Sequence, residues 1–172
     1  MCDNDIIYRR YTLFCYNNDM KQDRFKLIAG VFLLLEKDNK IFLIRRKNTG
    51  WEDGKYAIVG GHLNGNEKAS IAAVREAQEE IGVKIKPNDL TLFNIMHIQS
   101  NSERINLAFV TKKWEGEPKN NEPEKCDQAK WFSLNKLPEN LEYASKEVIA
   151  CYKNNIFYIE LGWDQKPDLI IK

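Results

Sequence analysis

A compact α/β sandwich, built as one domain over residues 1–172, is the architecture this sequence predicts. Three observations point to it. Short apolar runs bounded by turn residues recur along the chain, as strands do. The hydrophobic period lengthens to a helical one over residues 67–81 and again over 143–153. No stretch rich in Pro, Gly and Ser divides the chain, and 172 residues is an ordinary length for one domain that buries roughly 70% of its unfolded surface.

Residues 1–24 are polar and aromatic, close on the loop-like NNDMKQDR, and read as an N-terminal extension or edge elements. KLIAGVFLLLEKD then reads as a buried strand leaving through a turn at Asp38-Asn39, with KIFLIRRK as its hairpin partner. NTGWEDGKYA and IVGGHLNGNE are glycine-bearing loops that bracket a short strand at residues 56–59. In the helix at 67–81, Ser70, Val74, Ala77 and Ile81 share one stripe at about 100° per residue, and Gly82 stops the helix. ASIAAVREAQEE holds strong helix formers, so propensity agrees with pattern. Past Pro87, strands are expected at 90–99, 105–113 and 129–132, separated by the polar loops NSER and GEPKNNEPEK, before the final helix at 143–153.

Lys and Arg number 26 against 25 Asp and Glu, a formal charge of +1, so no global field marks DNA, RNA or an anionic membrane as an obligate partner. The longest strongly apolar run, residues 28–35, falls far short of the roughly 20 residues a membrane-spanning helix needs. MCDNDIIYRRYTLFC, at the start, holds no apolar stretch long enough for a secretory signal. Cysteines at 2, 15, 126 and 151, with His62 and His97 as the histidines, make neither a zinc spacing nor a disulfide framework. The expectation is a cytoplasmic protein with free thiols. No seam in the sequence decides between monomer and homodimer.

Chemistry concentrates in GGHLNGNEKASIAAVREAQEEIGV, residues 60–83. Glu76, Glu79 and Glu80 fall within an arc of about 100° on the helix, where like charges repel. Such a face is either solvated or compensated. Lys68 and Arg75 are the protein cations at hand, and Arg75 neutralises only part of the cluster. A hard divalent cation, Mg²⁺ or Mn²⁺, suits the all-oxygen donor set. Glycines 60, 61 and 65 just upstream permit close approach of backbone to a ligand. Carboxylate-held metal beside a glycine loop suits polyphosphate chemistry, which makes a phosphoanhydride a sensible target.

The same segment resembles the Nudix box: Gly61, five residues, Glu67, seven residues, Arg75-Glu76, an apolar residue, one more, Glu79-Glu80, one more, Gly82, then apolar Val83. All of the motif's constrained positions are present. The resemblance implies a Nudix-like α/β/α sandwich with a mixed central sheet, the box loop and helix lying at residues 60–83. It implies a hydrolase acting on a nucleoside diphosphate linked to another moiety, with Mg²⁺ (Mn²⁺ as a substitute) held by Glu76, Glu79 and Glu80. Glu79 or Glu80 would also stand near the attacking water. Arg75 would orient the glutamates by salt bridge, Glu67 would hold the loop to the helix, and Gly61 and Gly82 would serve backbone geometry. By helical angle Glu67 falls opposite Glu76, which agrees with support rather than metal ligation. Val59 stands where many relatives have Pro.

Beyond the box, over about residues 26–141, the chain resembles the bacterial MutT-type nucleoside triphosphate pyrophosphohydrolases more weakly. WEGEPKNNE, residues 114–122, is similar to a hairpin whose final Glu approaches the metal, which nominates Glu122 as metal ligand or base, with Glu124 as the fallback. WFSLNKLPEN, residues 131–140, resembles the loop over the base pocket and nominates Asn140 as a base reader and Trp131 as core or stacking platform. Arg24, Arg45 and Arg46 are candidate phosphate cations, and strand alternation allows only one of the last two into a cleft. Gly60, Gly61 and His62 are further substrate contacts, His62 serving a phosphate or a local loop bond. Trp51 and Tyr56 flank the entry, Leu134 and Leu137 read as core or pocket wall, and His97, within the apolar NIMHIQ pattern, reads as a satisfied strand residue. No cysteine nucleophile is expected.

The expected ligand is thus a small-molecule nucleotide, with a nucleoside triphosphate, including oxidised purine dNTPs, cleaved to monophosphate and pyrophosphate. Nucleotide sugars, nucleotide alcohols, ADP-ribose and dinucleoside polyphosphates are the alternative substrates. A non-catalytic nucleotide-binding module is the rival class, against which the intact box glutamates stand.

Overall fold

The computed structural model of the chain describes residues 24–163 and 170–171; the expected N-terminal extension, with Cys2 and Cys15, lies outside them except for Arg24. The element order is β1 (Ile28–Lys37), β2 (Lys40–Arg46), β3 (Tyr56–Ala57), β4 (Val59–His62), α1 (Ala69–Ile81), a 3₁₀ turn (Pro87–Asp89), β5 (Thr91–Gln99), β6 (Glu103–Thr111), β7 (Cys126–Ser133), α2 (Tyr143–Asn154), β8 (Tyr158–Leu161) and β9 (Ile170–Ile171). Asp38 and Asn39, both at positive φ, close the β1–β2 hairpin in the left-handed conformations that a two-residue turn requires.

The strands run β3-β2-β1-β6-β5-β8-β9, with β4 on β1 and β7 on β2. β1 is parallel to β6 from Ile28 to Leu35 and antiparallel to β4, so the sheet is mixed. A strand of this kind is covered on both faces, which is why its sequence is an almost unbroken apolar run. Alternation divides that run. Val31, Leu33 and Leu35 pack with Phe42, Ile44, Val59 and the α1 side chains, whereas Leu34 joins Ile41, Leu43, Met96 and α2's Val148 and Ile149. The result is an α/β/α sandwich with a core on either side of the sheet. Among the described residues no helix is long and apolar enough to cross a membrane.

Several sequence expectations are corrected. α1 starts at Ala69, not Glu67; Lys68 holds the extended N-cap position, so Glu67 lies in the preceding turn and helical angles do not apply to it. The buried stripe is Ala72, Ala73, Ala77 and Ile81, while Ser70 and Val74 are only partly covered. Three alanines let the helix axis come close to the sheet, and this rotation also carries Glu76 into the buried face. Gly82 does end the helix, at φ 73°, with its N–H donating to Gln78 O. Gly60 and Gly61 belong to a strand, β4, rather than a loop; a side chain at Gly60 would strike the Val31 carbonyl and the Phe32 ring. β7 begins three residues earlier than expected, and β8 and β9 extend the sheet where no strand was read.

Candidate active site

The site forms where β4 passes under α1. Glu76, 9% exposed, points at Gly61, and any Cβ there would run into its carboxylate. Arg75 ties the segment together. Its Nε and Nη2 donate to the two oxygens of Glu67 at 2.9 and 3.1 Å, its Nη1 to Glu76 at 2.7 Å and Glu79 at 3.1 Å, and Nη2 also to the His62 carbonyl at 3.0 Å. These partners raise the guanidinium pKa, Glu67 foremost, so the charge is permanent. Glu67 in turn accepts from the Asn64 amide at 2.9 Å, bracing the turn between β4 and α1. Its own pKa is lowered, first by Arg75 and then by that amide.

Glu80 takes the Gly60 amide at 3.1 Å. Although the residue keeps some surface, its carboxyl sits in a protein-crowded recess; this desolvation, with Glu76 and Glu122 nearby, pushes its pKa up to about 8. Glu122 is placed there by a loop docked on the end of α1. The Glu115 and Lys84 backbones pair, Lys119 N donates to Ile81 O, Asn121 N to Glu80 O, and Asn121 Nδ2 to Glu79 O at 2.9 Å. These bonds satisfy carbonyls that a helix end leaves open. Asn121 therefore positions Glu122, a role that sequence reading missed because an Asn in a polar loop carries no signature. Glu122 itself pairs with Lys125 at 2.9 Å, whereas Glu124 is exposed and its backbone carbonyl accepts from Asn48 Nδ2 at 3.3 Å.

As the side chains stand, Arg75 draws Glu76 and Glu79 to itself, and among the described residues no three His, Cys, Asp or Glu groups converge on one point. The donor set nevertheless fits a hard divalent ion: it is all carboxylate oxygen, and Glu80 is desolvated beside like charges with too little cation to balance them.

A cavity of about 470 Å³ adjoins these carboxylates through Gly60, Gly61 and His62. Its walls come from Phe32 of β1, Arg46 and Trp51, the β5–β6 turn, Arg104 and Asn106 of β6, and the start of α2. Arg46 is fastened at this wall by Trp51 O at 2.8 Å and Thr49 Oγ1 at 3.0 Å. The α2 end is closed by its own chain: Glu142 accepts from the Ala144 and Ser145 amides, and Glu52 from the Tyr143 amide. Desolvation opposes it, yet bonds from Lys55 and that amide hold Glu52 below the usual carboxylate range.

Residues 24–152 match the family model described as NUDIX domain. The chain belongs to this family. An ADP-ribose pyrophosphatase of Methanocaldococcus jannaschii is 33% identical over 142 residues, covering 78% of this chain and 79% of that protein. An 8-oxo-dGTP diphosphatase of Escherichia coli is 32% identical over 130 residues, covering 74% and 97%. The crystal structure of a MutT NUDIX hydrolase from Burkholderia pseudomallei superposes with a TM-score of 0.68 at 25% identity, covering 73% of this chain and 98% of that one. The protein is a Nudix hydrolase of nucleotide phosphoanhydrides.

Around this Nudix site the other sequence candidates divide. Arg46 lines the cavity, and Arg45 turns away to Asp127, both bonds 2.7 Å. Arg24 is exposed and no part of the cavity wall. Trp131 does not reach the cavity: it packs edge-on against Phe42 and stacks at 5.8 Å on Trp114, on the α1 side of the sheet. Asn140 is not in the wall either, because its amide donates to Gly54 O at 2.8 Å and its carbonyl accepts from Tyr56 N, pinning the loop before β3. His97 pairs with Glu103 at 2.9 Å. Arg104, Asn106 and Ser145 are wall residues that sequence reading missed; the polar alternation of Arg104 and Asn106 in an otherwise apolar β6 was the available signal.

Proposed function

We propose that the protein hydrolyses a nucleoside triphosphate, an oxidised purine deoxynucleotide being the favoured member, to the monophosphate and pyrophosphate. The observation that carries this reading is the junction of Glu76, Glu80 and Glu122 with an Arg46-bearing cavity through the glycines of β4. Phosphates lying along residues 60–62 would bring the scissile linkage against the carboxylates, while the base occupies the cavity beyond.

Glu76, Glu79, Glu80 and Glu122 would hold Mg²⁺, with Mn²⁺ as a substitute. When bound, the ion shields phosphate charge and makes water a better nucleophile at neutral pH. Arg75 fixes Glu76 and Glu79, and Glu67 fixes Arg75. Glu79 or Glu80 accepts the proton of the attacking water as its oxygen bonds to one phosphorus of the α–β linkage and the bridging P–O bond breaks, the nucleoside monophosphate and pyrophosphate parting as the two products. Arg46 steadies the phosphates, and no protein nucleophile takes part. His62, exposed at the cavity rim, is a further phosphate contact. The buried free thiols of Cys126 and Cys151 support a reducing, cytoplasmic location.

Hydrolysis of ADP-ribose is the second reading, supported by the archaeal relative named for that activity. One panel decides between them: Mg²⁺-dependent release from normal and oxidised dNTPs, nucleotide sugars, ADP-ribose and dinucleoside polyphosphates, with Glu80→Gln and Glu79→Gln beside wild type. Fastest turnover of the triphosphates, with both variants reduced at least ~10²-fold, is expected. Equal release from wild type and variants overturns the role of the glutamates, and turnover of ADP-ribose alone overturns the triphosphate reading.

A further inference from the structure

The loop that sets Glu122 beside Glu80 carries a cation with it. Glu122, Pro123, Glu124 and Lys125 form a β-turn, closed by the Lys125 amide donating to the Glu122 carbonyl at 3.0 Å, with Pro123 in the second position where its fixed φ suits the turn. The turn is braced from both sides. Asn120 Oδ1 accepts from Glu122 N at 3.1 Å and Asn120 Nδ2 donates to the Cys126 carbonyl at 2.7 Å, while Lys47 N donates to the Lys125 carbonyl at 2.8 Å. The first and fourth residues of such a turn lie close together, and the Lys125 ammonium donates to Glu122 Oε1 at 2.9 Å. Glu122 first, then Glu80 and Glu76, raise the Lys125 pKa, so the charge is constant near neutral pH. Glu80 feels that charge in return: desolvation raises its own pKa, and the Gly60 amide and the ammonium oppose the rise.

Arg75 and Lys125 thus both serve the carboxylate cluster, but they are held differently. Arg75 spreads its donors over Glu67, Glu76, Glu79 and the His62 carbonyl, and its side chain is 25% exposed. The Lys125 ammonium meets only Glu122 in a hydrogen bond among the described residues, and its side chain is 63% exposed. Exposed pairs of that kind are weak and open readily. Glu122 oxygen atoms are also what a divalent ion on this donor set would take, so an ammonium on one of them blocks it and repels a second positive charge. The flexible four-carbon stem lets the ammonium swing into solvent while the braced turn keeps Glu122 where it is.

We propose that Lys125 is the displaceable counter-ion of these carboxylates, competing with the divalent ion and setting the ion concentration at which the site fills. This rests on the carboxylates being the metal site, Glu122 included, and the test separates the two. Mn²⁺ binding to the whole chain, without nucleotide, is followed by electron paramagnetic resonance of the free ion for wild type, Lys125→Met, Lys125→Arg and Glu122→Gln. Lys125→Met keeps the length of the stem and loses the charge, and should bind Mn²⁺ at least ~3-fold more tightly at low ionic strength, the scale of one exposed charge contact. Lys125→Arg should show no gain. In about 1 M salt, where screening acts over roughly 3 Å, the gain should fall by half or more. Both lysine variants should melt within a few degrees of wild type, because an exposed pair contributes little to the fold. A purely structural lysine predicts the opposite sign, since a loosened turn would present Glu122 less well and weaken Mn²⁺ binding. If Lys125→Met fails to fold, Lys125→Gln makes the same comparison.

Unchanged or weaker Mn²⁺ binding by Lys125→Met, an equal gain in Lys125→Arg, or a gain that ignores salt overturns the proposal; where Glu122→Gln still loses affinity, the metal-site reading survives it. A salt-sensitive gain in Lys125→Met with wild-type affinity in Glu122→Gln overturns only the assignment of Glu122 as a ligand, the ammonium then acting on Glu76 and Glu80. No Mn²⁺ binding by any form overturns both.

Discussion

Gly61→Ala is the substitution that tests the site most sharply. An ideal Cβ at Gly61 would stand 2.5 Å from Glu76 Cδ and 2.8 Å from its Oε2, where ordinary van der Waals contact begins at 3.4 Å. The carboxyl carbon must therefore withdraw by about 0.9 Å, because β4 is pinned between β1 and the Arg75–His62 bond while the Glu side chain can move. A displacement near 1 Å in a positioning group costs on the order of 10²-fold in rate, about 2.7 kcal/mol on the barrier. The fold should suffer less. Arg75 loses Glu76 but keeps both oxygens of Glu67, so a fall in Tm of only a few degrees, about 1–2 kcal/mol, is expected. Gly65→Ala is the internal control, since among the described residues nothing lies within 4 Å of a Cβ at that position. Steady-state hydrolysis of the preferred nucleotide with saturating Mg²⁺, paired with thermal unfolding, reads both quantities. Retention of a third or more of wild-type kcat by Gly61→Ala, or an equal loss in Gly65→Ala, would refute the reasoning.

Other outcomes follow from the same geometry. Arg75→Lys keeps the charge but not the paired donation to Glu67, and should lower kcat about 10–100-fold, with the loss shrinking when Glu67→Gln is already present in a double-mutant cycle. Glu122→Gln should reduce kcat by about 10-fold or more and weaken the apparent Mg²⁺ affinity, whereas Glu124→Gln should leave both within ~2-fold in a metal titration of activity. Desolvation pushes the Cys151 thiol from an ordinary 9.0 up to about 11. The folded protein thus holds that proton where the unfolded chain has released it, and stability is lost as pH rises from about 9 to 11, by at most ~2–3 kcal/mol. Urea unfolding across that window should show a shallower decline for Cys151→Ala than for wild type. Equal slopes would remove Cys151 as the cause.

The box was legible in sequence because its chemistry is local: Arg75, Glu76, Glu79 and Glu80 lie within two turns of one helix, and helical geometry alone gathers them. Even so, pattern reading rotated the helix wrongly. It weighed Val74 as core and passed over Ala72 and Ala73, whose smallness matters only once a sheet lies beneath them. The glycine pattern places Gly61 in a loop that admits close backbone approach, yet it is a strand residue kept small by Glu76, a contact from fifteen positions along the chain.

Sequence by itself determined the family, the two-sided burial of β1 and the carboxylate set, since each is written in the spacing of a single segment. Tertiary structure alone decided which distant residues meet them. Arg46 rather than Arg45 lines the cavity because Asp127 of β7 claims the other; Trp131 and Asn140 are engaged elsewhere; and the docking of the 114–125 loop on α1 sets Glu122 beside Glu80. Asn106 is the clearest case. In sequence it is one polar residue in a strand, and only the register of β6 against β1, with Gly30 opposite, turns it into a carboxamide of the cavity wall. Pairing between strands some seventy residues apart is a matter of global packing, and no local period encodes it.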